Sequence, residues 1–340
     1  MDVPGEKLII KMWESLADRG VGSLLKPWQI RREARAQLET RRNEMLLLAQ
    51  TERDIEAIRS GNKKVESDGR SLLLLSSNTE VIDGRAEPVL DVGSLMVRAD
   101  ELKRADALRE EVNTAKTILQ AEELLKNESA PVSDTPIEVD WLYRWRDCAA
   151  RVSNEEMQSL WAKVLAGEIK SPGTHSFRTL EFLRNLSRAE AEQIQRLCPF
   201  VVNGQFILTY GEMAADPVKG IDYPMQMQEL GLVSGVGGFG LSVTYKATGS
   251  GPIFAQPLLT MGKVVVARSS DAAKPLQLTM YRITPLGREV LSLNPMPAPE
   301  AYLQAIAEAV KAQGFETSIG QFVPTVGQLG QLTIFNEVKI

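Results

Sequence analysis

The chain has 340 residues, of which 44% are hydrophobic and 24% are charged, and its formal net charge is -5. The length predicts two or three domains, and the acidic balance argues against nucleic-acid binding through the surface as a whole while leaving room for a local basic patch. Only two cysteines occur, no apolar run approaches the roughly 18 residues of a membrane-spanning helix, and the N-terminal residues do not resemble a signal peptide, so we expect a cytoplasmic protein.

The first predicted element is an amphipathic helix over residues 6–17. Its apolar stripe, at helical spacing, consists of Leu8, Met12, Trp13 and Leu16. A stripe of this kind usually docks on the body of a protein, and this is our first interpretation. The alternative is a helix that lies on an anionic membrane surface.

Two long helices are predicted next, at residues 28–60 and 98–126. The second has a clean 3-4 seam formed by Ala105, Leu108, Val112, Ala115 and Leu119. The two helices form either a coiled-coil-like antiparallel hairpin or a homodimer, and the sequence does not choose between them. Residues 61–97 mix Gly, Ser, Asp and Pro with short apolar runs and are expected to form an irregular connector. Residues 1–128 are thus predicted to be a long-helix N-terminal domain.

A basic cluster of net charge +4 lies between residues 26 and 42 of this acidic chain. The candidate contacts to an anion, a nucleic acid or a lipid are Lys26, Trp28, Arg31, Arg32, Arg35 and Arg42. These residues could bind phosphates of nucleic acid or of a membrane. The alternative is a solvated helix flank that pairs with acidic neighbours such as Glu39 and Glu44.

Residues 129–137 (SAPVSDTPI) contain two prolines and are predicted to be a linker to a C-terminal domain at 138–340. Helical patterns run from Asp140 to Leu197, with a turn at 171–173 and Ser187 as a helix cap. The pair Asn203-Gly204 then predicts a tight hairpin. A short helix at 223–230 follows, and after it come β-rich segments, a helix that begins at Thr284 and Pro285, and a helix at 300–313.

This order of elements resembles a winged helix. The stretch MQELGLVSG (227–235) resembles the end of its recognition helix, and LTMYRITPLGREVL (278–291) resembles its last wing strand and closing helix. The glycine-rich stretch 235–240 contains the pattern GVGGFG, but a strand follows it instead of a helix, which predicts a wing loop and not a dinucleotide site. The predicted fold class is α+β, mainly α: long N-terminal helices, a helical segment and a winged-helix-like C-terminal domain.

The candidate recognition helix does not have the composition of a DNA reader. Asp222 and Glu229 are acidic, the helix has no Lys or Arg, and only Gln226 and Gln228 could contact base edges. The nearest cation is Lys219. This composition favours a protein-docking module over a DNA-binding one.

The sequence contains few residues that are suited to catalysis or to metal binding. His175 is the only histidine and has no nucleophile motif beside it, while Cys148 and Cys198 lie far apart on apolar helix faces. We therefore expect no catalytic residue, no cofactor, no metal and no small-molecule substrate. An enzyme with an unrecognised carboxylate site is a distant alternative.

Two blocks of sequence carry a family resemblance. Residues 12–44 (MWESLADRGVGSLLKPWQIRREARAQLETRRNE) and 159–191 (SLWAKVLAGEIKSPGTHSFRTLEFLRNLSRAEA) resemble an uncharacterised bacterial family, the domain of unknown function numbered 2806. The resemblance implies no known activity and no site residue. The second block is also similar to segments of bacterial proteins found beside phage-defence genes.

These observations predict a non-enzymatic interaction or regulatory protein that self-associates and binds a macromolecular partner, with a role in phage defence implied only by resemblance. One alternative is a nucleic-acid-binding regulator that uses the basic segment 26–42. The other is a peripheral membrane protein that is anchored by the helix at 6–17.

Overall fold

The computed structural model describes residues 5–18, 50, 53, 55–57, 59–60, 63–67, 72–76, 92–129, 131–214, 222–237, 240–246, 253–324 and 332–340. The chain divides into two compact units, Met1–Leu180 and Glu181–Ile340. Residues 129–137, which were predicted to be an interdomain linker, lie within the first unit. The structure is mixed α/β, with helices dominating the first unit and antiparallel sheets the second.

The elements of the first unit whose bounds the structure describes are four helices and one β-hairpin, together with the start of a fifth helix at the boundary. They are α1 (Glu6–Asp18), β1 (Lys63–Ser67), β2 (Leu72–Ser76), α2 (Val92–Lys126), α3 (Val139–Ala150), α4 (Glu155–Lys170) and α5 (Phe177–Arg184), which crosses the boundary. The 35-residue helix α2 packs against α1, α3 and α4. Four of the five predicted seam residues are buried, namely Ala105, Val112, Ala115 and Leu119.

The core of the first unit consists of apolar side chains together with a few buried polar groups that form hydrogen bonds. Trp145 and Trp161 are almost completely buried, and the Trp145 Nε1 donates to the Trp161 carbonyl at 3.0 Å. The Asn113 side chain on α2 donates to the Ala150 carbonyl at 2.8 Å, and Gln158 donates to the Val152 carbonyl at 2.9 Å. Because buried polar groups must be paired, these contacts fix the turn between α3 and α4 against α2.

The structure differs from the prediction for residues 61–97. Instead of an irregular connector, the described part of this segment contains the hairpin of β1 and β2, and α2 begins at Val92 instead of residue 98. Most of the predicted helix 28–60 lies outside the described residues. At its C-terminal end, residues 50, 53, 55–57 and 59 are helical, Ile55 is buried, and Arg59 lies 3.9 Å from Asp106 of α2. The pairing of the two long helices, as an antiparallel hairpin or as a homodimer, stays a prediction.

The second unit contains two antiparallel sheets and four helices within the described residues. Its helices are α6 (Arg188–Leu197), α7 (Asp222–Glu229), α8 (Pro285–Leu291) and α9 (Glu300–Ala312). Its strands are β3 (Val201–Val202), β4 (Phe206–Leu208), β5 (Val233–Ser234), β6 (Leu241–Tyr245), β7 (Phe254–Leu259), β8 (Lys263–Ser269), β9 (Leu276–Ile283), β10 (Glu316–Pro324) and β11 (Leu332–Lys339). One sheet has the order β3-β4-β9-β5, with β6 also paired to β9, and the other has the order β11-β10-β8-β7.

Local signals in the sequence determine several boundaries of the second unit. Asn203 and Gly204 have φ of 51° and 64°, as required of the two central residues of the turn that the Gln205 N–H closes on the Val202 carbonyl at 3.1 Å. Ser187 and Glu190 form a reciprocal capping box at the start of α6. Thr284 accepts from the Gly287 backbone N–H at 2.9 Å and so caps α8. These three predictions from the sequence are confirmed.

Candidate interaction sites

The amphipathic stripe of α1 faces the interior of the first unit. Leu8, Met12 and Leu16 are at most 1% exposed, and α1 packs against α2 and α4. Trp13 is partly buried at the edge of this stripe. At Gly5 an added Cβ would lie 1.9 Å from the Leu125 carbonyl oxygen, so the start of α1 also lies directly against α2. The stripe therefore serves as a docking surface within the chain.

A lysine on α1 fixes the segment that follows α2. The Lys11 ammonium donates to the carbonyls of Ser133 at 2.7 Å and Thr135 at 3.2 Å. Burial lowers the pKa of Lys11, and the nearby carboxylates of Asp134 and Glu168 partly oppose this effect. The contact was not predicted, because nothing in the sequence shows that residues 133–135 fold back onto α1.

The candidate phosphate-binding residues fall outside the described residues. They are Lys26, Trp28, Arg31, Arg32, Arg35 and Arg42, which all lie between residues 19 and 49. The structure therefore adds no geometry to the basic segment.

His175 and Glu168 form a buried loop clamp at the end of α4. The Glu168 carboxylate accepts from the backbone N–H groups of Gly173 at 2.6 Å and His175 at 3.1 Å. Trp141 Nε1 donates to the His175 carbonyl at 2.6 Å. Glu168 and His175 are only 2% and 3% exposed, so both side chains are shielded from a substrate in bulk water. These contacts make the turn at 171–175 a structural feature of the first unit.

Two glycines in the block 159–191 are required by the loop clamp of Glu168 and His175. Gly173 has φ of 88°, in the left-handed region that glycine adopts without strain. At Gly167 an added Cβ would lie 2.8 Å from the His175 imidazole Nε2. The sequence of the block SLWAKVLAGEIKSPGTHS therefore reflects the packing and the hydrogen bonds of the clamp. Glu168 was missed in the sequence analysis, although it shares a helical face with Trp161 and Leu165, where a charged residue signals a buried polar role.

The exposed face of α7 is acidic and polar. Asp222, Gln226 and Glu229 are exposed on this helix. Gln228 is engaged elsewhere, because its Oε1 accepts from the Val236 backbone N–H at 2.8 Å and its Nε2 donates to the Val236 carbonyl at 3.4 Å. Of the two glutamines considered for base contacts, only Gln226 remains available. Lys219 lies outside the described residues.

α7 is held to α6 through an aromatic residue. The Tyr223 hydroxyl donates to the Gln193 carbonyl at 2.8 Å, and the Arg196 guanidinium lies 5.1 Å from the Tyr223 ring centroid. Burial raises the pKa of Tyr223 well above its usual value. Tyr223 therefore stays protonated and holds α7 against α6.

The glycine-rich stretch at 235–240 connects two strands. Gly235, Gly237 and Gly240 have φ between 78° and 92°, and the stretch runs from β5 to β6, which both pair with β9. No helix follows the glycines, so no helix N-terminus is available for a pyrophosphate. The described glycines thus belong to a connection between two strands, and its role as a wing stays a prediction.

Metal-binding groups are sparse where the structure describes the chain. No cluster of three or more His, Cys, Asp or Glu residues suited to a metal occurs among those residues. Glu123, Glu155 and Glu156 line an open cleft of about 590 Å³ between α2 and α4, and they form no such cluster. Cys148 and Cys198 are both buried, and neither forms a disulfide.

Apolar side chains are exposed on the first turns of α2. Met96, Val97 and Leu102 are 69%, 61% and 39% exposed. This stretch precedes Ala105, the first buried residue of the seam.

Within the described residues, no helix is both long enough and apolar enough to cross a bilayer.

Comparison with known proteins gives one match. Searches of curated proteins and of solved structures return no significant similarity. Residues 98–206, which run from the second turn of α2 to the first residue of β4, match the family described as a protein of unknown function (DUF2806). The family resemblance predicted from the sequence is therefore confirmed over these residues, which include the block 159–191 and the loop clamp of Glu168 and His175, whereas the block 12–44 lies outside the match.

Proposed function

We propose that this chain is a non-catalytic interaction protein of regulatory type, which self-associates through its N-terminal region and docks a protein partner through its C-terminal unit. The acidic surface of α7 is the observation that carries the second part. Asp222 and Glu229 are exposed there without a cation beside them on the helix, and such a surface repels phosphates. A protein surface with basic residues is the complementary partner.

The proposal includes a winged-helix arrangement of the second unit. In it, α7 takes the position of the recognition helix and α8 is the closing helix. The first wing strand is formed by β5 and β6 together, and the second wing strand is β9. The antiparallel pairing of β5 and β6 with β9 is consistent with that arrangement. One departure is that β7 and β8, which lie between the wing strands in sequence, pair in the other sheet.

Self-association is supported by the exposed apolar residues of α2. Met96 and Val97 are more than 60% exposed on a helix whose later turns are packed. Exposed apolar residues that cluster on one element are typical of an interaction surface. The coiled-coil-like pairing of the two long helices belongs to the same proposal.

The absence of catalysis is proposed from the chemistry of His175. This histidine is the only one in the chain, and its burial in the Glu168 loop clamp keeps it from a substrate. The resemblance to proteins found beside phage-defence genes extends the proposal to a regulatory role in antiviral defence.

The test compares α7 variants in a quantitative pull-down from the native host. We expect Asp222→Lys/Glu229→Lys to lose the principal partner, whereas the control Glu308→Lys, at an exposed position of α9, retains it. The same proteins are titrated with duplex DNA at low salt. Partner binding that is unchanged in the α7 variant, or wild-type DNA binding that the variant alters, contradicts the proposal.

A nucleic-acid-binding regulator is the second candidate, because residues 26–42 carry a net charge of +4. It predicts binding that weakens steeply with salt and is lost in Arg31→Glu/Arg35→Glu/Arg42→Glu. The peripheral membrane candidate requires α1 to leave the first unit, since Leu8, Met12 and Leu16 are buried there. Undocking would expose these side chains to water before they reach a bilayer, which disfavours this candidate.

A further inference from the structure

We propose that β11 is a releasable cover strand of the second unit. It leaves the sheet as one segment while β8, β10 and α9 stay folded, and its departure opens the edge of β10 to another extended strand. This inference concerns a surface other than that of α7 and does not depend on the proposed function.

The side chains of β11 are poorly buried. Phe335, Val338 and Ile340 are 40%, 64% and 37% exposed, and no residue between 332 and 340 is buried. In β8, by contrast, residues 264–267 are at most 2% exposed. Local opening costs least where little apolar surface is buried. We therefore expect β11 to open at a lower free energy than β8.

The strand that β11 covers is well packed without it. Within β10, Thr317, Ser318 and Ile319 are buried, and β10 pairs with β8 from Glu316 to Gln321. On its other edge β10 pairs with β11, where the Ile340 N–H donates to the Thr317 carbonyl at 3.0 Å. When β11 departs, β10 keeps its pairing with β8. The uncovered edge is then an ordered strand whose N–H and C=O groups need partners.

Polar side chains hold β11 at positions that are open to solvent. Glu337 accepts from Arg268 of β8 at 2.7 and 3.0 Å and from Ser318 of β10 at 2.6 Å. Asn336 donates to the Gln321 side chain at 3.0 Å. The Arg268 and Glu337 side chains are 37% and 31% exposed, and exposed ion pairs contribute little to stability. These contacts fix the register of β11 and still permit its release.

A β-bulge defines the kind of strand that fits this edge. The register shifts at Gly320 of β10, which faces two residues of β11, Asn336 and Glu337. Asn336 has φ of 52°, a left-handed conformation that asparagine tolerates. The edge therefore fits an extended strand that has a residue able to adopt this conformation, followed by a carboxylate that reaches Arg268. Such strand addition to a sheet edge is a common mode of peptide recognition.

Gly320 also provides a variant that acts on β11. An added Cβ at Gly320 would have three atoms of β11 as its nearest neighbours, at 3.0–3.2 Å, in Ile334, Phe335 and Glu337. The φ of Gly320 does not lie in the left-handed region, so alanine is compatible with its backbone. Gly320→Ala is therefore expected to push β11 away from β10 and to leave the pairing of β10 with β8 in place.

Hydrogen exchange of the full chain, resolved along the sequence, tests the release. In the wild type we expect β11 to exchange at least about tenfold faster than the buried part of β8. Gly320→Ala should accelerate exchange in β11 by a further factor of about ten or more and change β8 and α9 by less than about twofold. Equal exchange of β11 and β8 in the wild type, or equal acceleration in the variant, means that the strands open together and overturns the proposal.

A labelled peptide with the sequence of residues 332–340 (LTIFNEVKI) tests the uncovered edge. Glu337→Gln in the chain weakens the contacts of β11, so that a larger fraction of molecules has the edge open. In fluorescence anisotropy we expect this variant to bind the peptide about two- to fivefold more tightly than the wild type. The control Glu316→Gln should bind it as the wild type does. Gly320→Ala should not bind it, because the added Cβ obstructs any strand of this pattern.

The outcomes separate the two parts of the inference. Binding of the peptide to Gly320→Ala as tightly as to Glu337→Gln would indicate adhesion to exposed apolar surface and would overturn strand pairing. Fast exchange of β11 without uptake of the peptide by any variant overturns the binding edge, while the release stands. The pull-down with the α7 variants tests the proposed function separately, because those variants do not alter β10 or β11.

Discussion

The hydroxyl oxygen of Tyr302 lies 2.9 Å from the backbone nitrogen of Leu208 and accepts its hydrogen bond. The same hydroxyl is 3.1 Å from the Leu208 carbonyl and 3.2 Å from the Phe200 carbonyl, so its proton has an acceptor as well. Burial raises the pKa of Tyr302, which keeps this proton in place. One side chain of α9 therefore joins β4 to the turn before β3.

Tyr302→Phe tests this junction. The variant leaves the Leu208 N–H without its acceptor in a buried position, and we expect the free energy of unfolding to fall by about 1–3 kcal/mol. Tyr281→Phe is the matched control, because Tyr281 is also buried and its hydroxyl makes no hydrogen bond to the described residues. It should change stability by less than about 0.5 kcal/mol. Urea denaturation measures both, and equal losses would contradict the assigned role.

The loop clamp of Glu168 predicts a similar asymmetry in the first unit. Glu168→Gln replaces one of two carboxylate acceptors with an amide N–H₂ that faces a backbone N–H. We expect a loss of about 1.5–3 kcal/mol, as for hydrogen bonds to a charged group. Glu156→Gln, on the exposed first turn of the same helix, should cost only about 0.3–1 kcal/mol through the helix dipole. Thermal unfolding of both variants checks the difference.

Elements with a local signal were predictable, whereas those that depend on distant contacts were not. Asn203-Gly204, Ser187 and Thr284 each specify a turn or cap through their own backbone preference or hydroxyl. The strand at Leu72–Ser76 has four consecutive leucines, and such a short apolar run does not distinguish a strand from a buried helix or an irregular segment. The coarse division into a helical front and an α+β back followed from periodicity, which is strong over long elements.

The candidate sites also divided into those with a local signal in the sequence and those that depend on distant contacts. The stripe Leu8, Met12 and Leu16 was visible from its spacing. The sequence could not show that Lys11 reaches the carbonyls of residues 133 and 135, because the path of that segment depends on tertiary packing. Glu168 carried a usable signal, since a carboxylate on an apolar helix face must find partners when it is buried.

Docking of α1 predicts a strong dependence of stability on its buried stripe. Leu16→Ala removes a fully buried side chain and should cost about 2–5 kcal/mol, whereas Ile10→Ala, at a position that is 49% exposed, should cost less than about 1 kcal/mol. Chemical denaturation compares the two.

The same preparations, mixed with anionic vesicles, should stay in the supernatant. Pelleting of the wild type that Trp13→Glu abolishes would instead favour the membrane alternative.

Glu337 predicts an acid-side change in stability. Its carboxylate accepts from both Arg268 nitrogens, at 2.7 and 3.0 Å, and from the Ser318 hydroxyl at 2.6 Å, which ties β11 to β8 and β10. These hydrogen bonds, with that of Arg268 the largest, lower the pKa of Glu337. The contribution is present above the unfolded pKa of about 4.3 and is lost as pH falls through the lower folded value.

The site is open to solvent, so we expect only about 0.5–1 kcal/mol from this pair. Glu337→Gln should be less stable than the wild type at pH 7, and the difference should shrink as the pH falls below about 4. Glu316→Gln, at an exposed position of β10 with no ion pair among the described residues, should follow the wild type at every pH. Unfolding free energies between pH 3 and 7 measure the three curves, and a Glu337→Gln curve parallel to that of the wild type would show that the carboxylate's charge contributes nothing.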